Sequence, residues 1–130
     1  MSQGKGVRNG TRTRHYRDLL VWQKAMELAK RIYSATDAFP KSEMFGLQSQ
    51  MRRAAVSVPS NIAEGHGRLN DGHFRQFLAS ARGSLFELQT QLEIAGSRKL
   101  VEQKDVNDLM DASEEIARML NGLIGALDES

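Results

Sequence analysis

Apolar residues recur along this chain at the three- and four-residue spacing of α-helices, and they do so in four separate segments. The first segment shows the pattern clearly, because one helical face would carry Trp22, Ala25, Met26, Ala29, Ile32 and Tyr33. No alternation of apolar and polar residues typical of β-strands competes with it. The pattern therefore predicts an all-α fold built from four helices.

Capping and helix-breaking residues set the predicted ends of these helices. The first helix should begin after Asp18, a suitable N-cap, and end before Asp37-Ala38-Phe39-Pro40, because the residue before a proline disfavours helical geometry. The later helices should begin at Ser42, at Asn70 or Asp71, and near Asp105. Short connections between amphipathic helices are typical of an antiparallel up-down-up-down four-helix bundle, which is the predicted architecture.

Pro59 falls inside the apolar pattern of the second helix. A proline there removes a backbone hydrogen bond and costs about 3 kcal/mol in an isolated helix, so we expect one helix, kinked at Pro59, that runs to a C-terminal glycine at Gly65. Polar residues follow the same stretch, at Ser57, Asn61 and Glu64. They have two interpretations: they satisfy backbone groups near the kink, which is the usual role of buried polar groups, or they form a binding notch.

Length and composition place the chain among single-domain globular proteins. It has 130 residues and no cysteine, which excludes disulfides and thiolate zinc sites. Residues 1–14 are rich in glycine and cations and predict a flexible basic arm, followed by one helical domain over residues 15–130. The chain has no apolar run near the ~20 residues of a membrane span and no secretory signal, so we expect a cytoplasmic protein without a membrane partner.

Charge is distributed unevenly along the chain. Residues 1–82 contain 14 Lys and Arg against 6 Asp and Glu, whereas residues 83–130 contain 4 against 10. Basic residues can neutralise phosphates of structured RNA or DNA without reading sequence, and the arginine candidates for such contacts are Arg12, Arg14, Arg52, Arg53, Arg68, Arg75 and Arg82. The competing interpretation is a solvated surface on which arginines pair with acidic neighbours.

Catalytic and metal-binding patterns are weak in this sequence. His15, His66 and His73 lie in or beside predicted loops, and none follows a glutamate by the three residues that di-iron bundles use. Gly65-His66-Gly67 lacks the preceding strand that a dinucleotide fingerprint requires. We therefore expect a protein that is not an enzyme and has no cofactor and no metal.

Two helices carry more apolar surface than one core face needs. On the first helix Val21, Leu28 and Ile32 widen the apolar face, and on the third helix Ala79, Gly83 and Phe86 form a second seam. Surfaces of this kind predict association with further copies of the chain, in which the acidic fourth helix is available to basic residues of a neighbour.

The chain also resembles a known family, the four-helix-bundle proteins encoded in 23S rRNA intervening sequences. The resemblance spans about residues 16–127. Its most specific part is the segment Arg52-Arg53-Ala54-Ala55-Val56-Ser57-Val58-Pro59-Ser60-Asn61-Ile62-Ala63-Glu64-Gly65. Further matches are Tyr16-Arg17-Asp18-Leu19-Leu20-Val21-Trp22-Gln23-Lys24-Ala25-Met26 and the stretch from Phe77 to Leu92.

The resemblance implies a four-helix bundle that assembles as a homopentamer, in a family without a settled biochemical role. A relative of this family is the accessory variability protein of diversity-generating retroelements, which is a basic pentamer. The resemblance to that relative implies that this chain binds nucleic acid. By that analogy the positions of interest are Arg52, Arg53, Arg75 and Arg82. Together with the charge pattern, this leads to the expectation of an RNA-binding homo-oligomer. The alternative is a scaffold that contacts only other proteins.

Overall fold

The computed structural model describes residues 15–128, which form four α-helices. These are α1 (Leu20–Thr36), α2 (Ser49–His66), α3 (Asp71–Ser97) and α4 (Gln103–Asp128). Short 3-10 turns lie at Tyr16–Asp18 and Lys41–Glu43, and a π-helical turn lies at Met44–Gln48. No strand occurs within residues 15–128, so the all-α prediction with four helices is confirmed. The predicted arm, residues 1–14, lies outside the described residues.

The beginnings of the first two helices differ from the prediction. Leu19, not Asp18, is the N-cap of α1, because Asp18 belongs to the preceding 3-10 turn. Before α2 the chain does not start a regular helix at Ser42, since Gly46 has φ −107° and ψ −111° and interrupts the turn. The carboxylate of Glu43 accepts a hydrogen bond from the backbone N–H of Leu47 at 3.4 Å and takes the capping role there.

The beginning of α3 agrees with the prediction. Asn70 is its N-cap, and the Oδ1 atom of Asn70 accepts a hydrogen bond from the backbone N–H of His73 at 3.1 Å. α4 begins two residues before the predicted Asp105, at Gln103. Between these helices Lys99 has a positive φ of 61°, which turns the chain after α3.

The core contains apolar side chains from all four helices. Its most completely buried members include Ile32 on α1, Met51 and Ile62 on α2, Leu120 on α4, and a column of leucines on α3 at Leu78, Leu85, Leu88 and Leu92. Burial of each such side chain stabilises the fold by about 1.5–3 kcal/mol.

Each helix contacts its sequence neighbours, and α1 also contacts α4. Three polar contacts join α3 to α4: Arg75 to Asp128, Arg82 to Asn121, and Gln89 to Ser113. From the first of these contacts to the last, the residue numbers rise on α3 and fall on α4.

Gly65 allows α2 and α3 to approach closely. It lies inside α2 and is buried, and the C-cap is Gly67, so the predicted role of Gly65 as a C-terminal glycine is wrong. A Cβ at position 65 would lie 2.5 Å from the Cβ of Phe77 and 3.1 Å from Cδ1 of Phe74. The packing of α2 on α3 therefore requires that residue 65 has no side chain.

No helix within residues 15–128 is both long enough and apolar enough to span a membrane.

We predict that Gly65→Ala destabilises the protein by about 1–3 kcal/mol, because the new methyl group forces α2 and α3 apart. The free energy of unfolding in urea measures this. Gly122→Ala on α4 is the matched control, since a Cβ there meets no atom within 4 Å. The control should be stabilised by up to about 1 kcal/mol through helix propensity. Equal effects of the two substitutions would contradict the packing role.

Candidate nucleic-acid interface

Four helix termini lie together at one end of the molecule. Tyr16, just before α1, and Ala63, near the end of α2, line the same surface groove. The guanidinium of Arg68, which follows α2, lies 4.9 Å from the ring centroid of Phe77 on α3. Arg75 near the start of α3 contacts Asp128 at the end of α4. We call this the arm-proximal end, because residues 1–14 precede His15 here.

Arg68 and Arg75 place two of the predicted arginines at the arm-proximal end. The guanidinium of Arg68 lies 3.1 Å from the carboxylate of Glu64, and that of Arg75 lies 3.2 Å from the carboxylate of Asp128. All four of these side chains are substantially exposed. Ion pairs exposed in this way contribute about 0–1 kcal/mol, so they hold the two guanidinium groups only weakly.

Arg52 lies at the opposite end of the molecule and is held by several groups. It donates hydrogen bonds to Oγ1 of Thr36 at 2.9 Å and to the backbone carbonyl of Tyr33 at 3.2 Å, and its ion pair with Asp37 measures 2.8 Å. Its guanidinium also lies 4.5 Å from the ring centroid of Tyr33. These contacts tie the end of α1 to α2, which gives Arg52 a structural role.

Of the remaining predicted arginines, none within residues 15–128 lies at the arm-proximal end. Arg82 lies in the middle of α3 and donates a hydrogen bond to Oδ1 of Asn121 at 2.7 Å. Arg53 is exposed on α2 and lines a surface depression with Phe45 and Val56. Arg12 and Arg14 lie outside the described residues. Arg68 and Arg75 therefore lie at the arm-proximal end, Arg82 lies farther along α3, and Arg52 and Arg53 lie toward the opposite end.

The net charge of the helical part differs from that of the whole chain. Residues 15–128 contain 14 Lys and Arg against 15 Asp and Glu, a net charge of −1. Residues 1–14 contain four cations, Lys5, Arg8, Arg12 and Arg14, and no Asp or Glu. The excess of positive charge thus belongs to the N-terminal segment, and that segment joins the helices at the arm-proximal end.

The polar motif on α2 is fully engaged in contacts. Nδ2 of Asn61 donates to the backbone carbonyl of Ser57 at 2.8 Å and lies 2.9 Å from Oγ of Ser57. The hydroxyl of Ser57 is 2.8 Å from that of Ser84 on α3. Glu64 pairs with Arg68 in the connection that follows α2. These contacts favour the structural interpretation of the motif, in which its side chains satisfy backbone and neighbouring polar groups.

The three interface candidates on α1 belong to the core of the chain itself. Val21 and Leu28 are 2% exposed and Ile32 is 0% exposed, so they have no surface left for another copy. The prediction that they form an oligomer interface is wrong, because other helices of the same chain pack over these three residues, and α2 and α4 both contact α1. On α3 the situation differs: Phe86 is 47% exposed, Gly83 is exposed, and Ala79 is half-buried.

A groove between α1 and α2 is a surface feature that the sequence pattern did not reveal. It has a volume of about 590 Å³, and its apolar lining includes Trp22, Met26, Tyr33 and Val56. The apolar pattern of α1 predicts that Trp22, Met26 and Tyr33 lie in the core. The residue that could have indicated the groove is Val56, which is apolar but lies off the buried stripe of α2.

Buried polar side chains were also missed by the apolar pattern. Thr36, Gln91 and Ser113 are at most 5% exposed. Thr36 and Ser113 form hydrogen bonds, but Oε1 of Gln91 has no partner within residues 15–128. The same described residues contain no group of three or more His, Asp or Glu side chains placed to hold a metal ion.

Comparison with solved structures supports the fold. The chain is similar to a protein with unknown function from the S23 ribosomal protein family of Bacteroides thetaiotaomicron VPI-5482, with a TM-score of 0.76. The two sequences are 22% identical, and the alignment covers 82% of this chain and 96% of that one. At this identity the likeness concerns the fold alone.

Comparison with family models identifies the sequence relationship. No curated protein matches the chain. The model of the 23S rRNA-intervening sequence protein matches residues 17–122, which include nearly all of the four helices. This chain belongs to the 23S rRNA-intervening sequence protein family.

Proposed function

We propose that this protein is a non-enzymatic homo-oligomer that binds structured RNA through its N-terminal segment and the arm-proximal end. The observation that carries the proposal is the charge distribution: four cations without an acid in residues 1–14, next to a helical part of net charge −1. Phosphate groups would be attracted to one end of the molecule and not to its whole surface.

We further infer that the four helices form an antiparallel up-down-up-down bundle. Each helix contacts its sequence neighbours, and α1 contacts α4, which is the order of contacts around a closed bundle. The polar pairs between α3 and α4 run in opposite directions along the two helices. α2 continues as one helix through Pro59, and we expect it to bend there because the Ala55 carbonyl loses its usual donor.

Arg17, Arg68 and Arg75 extend the basic segment onto the helical part. The carboxylates that face Arg68 and Arg75 are exposed, so a phosphate can replace them at little cost. Arginine binds phosphate oxygens in a bidentate manner, and such contacts position RNA without reading its sequence.

Structured RNA fits the surface better than a single strand does. Single-strand binding needs a row of exposed aromatic rings on which successive bases stack. The exposed aromatic residues within residues 15–128 are Tyr33, Phe45 and Phe86, and they do not lie at the arm-proximal end. Contacts with the backbone of folded RNA need only well-placed cations. We propose a binding role without catalysis, and the cytoplasmic location expected from the sequence stays a prediction.

We predict that replacing Lys5, Arg8, Arg12 and Arg14 with glutamine weakens binding to an RNA stem-loop and flattens its salt dependence. Each lost phosphate contact should reduce the log–log slope by about 0.7–0.9. Binding of the full-length wild type and the variant is measured by fluorescence anisotropy over a salt series. Poly(U) serves as a single-stranded comparison and should bind less tightly.

A variant at the opposite end provides the matched control. Lys41, Arg98, Lys99 and Lys104 follow or precede helices at that end, and replacing them with glutamine removes the same number of charges. This control should keep the slope of the wild type. Equal losses in both variants would contradict a localised site. Absence of binding at low salt would overturn the RNA proposal and favour the protein scaffold.

Arg52→Gln should lower stability without changing the salt slope. The substitution removes hydrogen bonds to Thr36, Tyr33 and Asp37. Because these bonds are partly exposed to solvent, we expect a loss of about 1–2 kcal/mol in the free energy of unfolding. Arg53→Gln is the neighbouring control and should lower stability less than Arg52→Gln does, since Arg53 makes no such bond within residues 15–128. A reduced slope for Arg52→Gln with unchanged stability would reverse this assignment.

A further inference from the structure

We propose that the outer face of α3, centred on Phe86, docks into the α1–α2 groove of a second copy of this chain. This inference rests on the homo-oligomeric assembly in the proposed function, and it names the two surfaces that form the contact. These two surfaces replace the interface on α1 that the sequence predicted. That interface is excluded because Val21, Leu28 and Ile32 are buried.

The receiving surface is an apolar strip along the α1–α2 side. The groove lined by Trp22, Met26, Tyr33 and Val56 continues past Tyr33 and Val56 into a second depression of about 580 Å³ that contains Phe45. Tyr33 is 44% exposed, Val56 42% and Phe45 91%. A contiguous exposed apolar surface of this kind marks an interaction site more often than a single exposed residue does.

The charged side chains that line this strip are all basic. Lys30 lines the first depression, and Arg52 and Arg53 line the second. Arg52 is already paired with Asp37, so Lys30 and Arg53 are the cations available to a partner. The strip therefore suits an occupant that is apolar at its centre and acidic at its flanks.

The outer face of α3 has these properties. Phe86 and Ile94 are each 47% exposed and lie on the side opposite the buried leucine column. Small residues accompany Phe86 on this face, and a Cβ at Gly83 would meet no atom within 4 Å, so a facing surface can approach closely. The hydroxyl of Thr90 donates to the carbonyl of Phe86 at 2.9 Å and is therefore satisfied before any docking.

Acidic residues flank this face. Glu87 and Glu93 are exposed on either side of Phe86 and Ile94, whereas Lys30 and Arg53 line the groove. One chain thus contains both an apolar groove with basic flanks and an apolar ridge with acidic flanks. This charge complementarity favours a second copy over an unrelated partner as the occupant.

The contact joins two different surfaces, so it is heterologous. Each copy would offer one groove and one ridge, and repetition of the contact produces a closed ring or an open chain. A symmetric contact between two α3 faces would instead use the same surface on both copies. This difference makes the proposal testable by mixing variants.

Val56→Asp damages the groove and Phe86→Asp damages the ridge. Both side chains are partly exposed on helices, so both variants should fold, which circular dichroism and thermal unfolding verify. At micromolar concentration the wild type should be an oligomer by light scattering, and each variant alone should be a monomer. Leu69→Asp is the control, since Leu69 is fully exposed in the α2–α3 connection and lies on neither surface. This control should retain the mass of the wild type.

Mixing the two variants decides between contact types. Val56→Asp keeps an intact ridge and Phe86→Asp keeps an intact groove, so a heterologous contact predicts a one-to-one dimer that grows no further. Monomers in the mixture would overturn the pairing of these two surfaces.

Two results would overturn the assignment in different ways. A monomeric wild type would remove the assembly itself, while the RNA measurements would still test the arm-proximal end separately. An oligomeric wild type whose mass survives both single substitutions would retain the assembly but refute these surfaces.

Discussion

The buried leucine column of α3 is the contact on which the rest of this structure depends. Leu78, Leu85, Leu88 and Leu92 are all fully buried, and the close approach of α2 at Gly65 is part of the same packing. Because a helix that buries one face must expose the opposite one, this packing directs Phe86 and Ile94 outward. The core therefore determines which apolar residues are available to another molecule.

Much of the fold follows from sequence, because helical periodicity reports on which residues are buried. The limits of that signal are visible on α1. Its apolar residues extend over a wide face, and periodicity alone does not show whether a second copy or the same chain covers it. The structure shows that other helices of the same chain cover Val21, Leu28 and Ile32, while Trp22 and Tyr33 line a groove. Coverage of a wide face depends on the contacts among helices, which the pattern of one segment does not contain.

The candidate site was predicted less completely, since the sequence gives residue type and not partners. Arg52 and Arg53 are adjacent in the chain, yet Arg52 is bonded to Thr36, Asp37 and Tyr33 whereas Arg53 is free to contact solvent. Arg68 and Arg75 are seven residues apart across a helix boundary and come to the same end. Spacing could not distinguish these cases, because an arginine's role depends on which carbonyls and carboxylates tertiary packing places beside it.

Assembly and charge act together in the proposed function. A single copy contributes four cations in residues 1–14, a small number for phosphate binding at physiological salt. Copies joined through groove and ridge would hold several such segments near one RNA, and each additional segment would then bind at a high effective concentration. The negative net charge of residues 15–128 would limit contacts elsewhere on the assembly. Affinity for RNA would thus depend on the number of joined copies, although neither docking surface needs to touch the RNA.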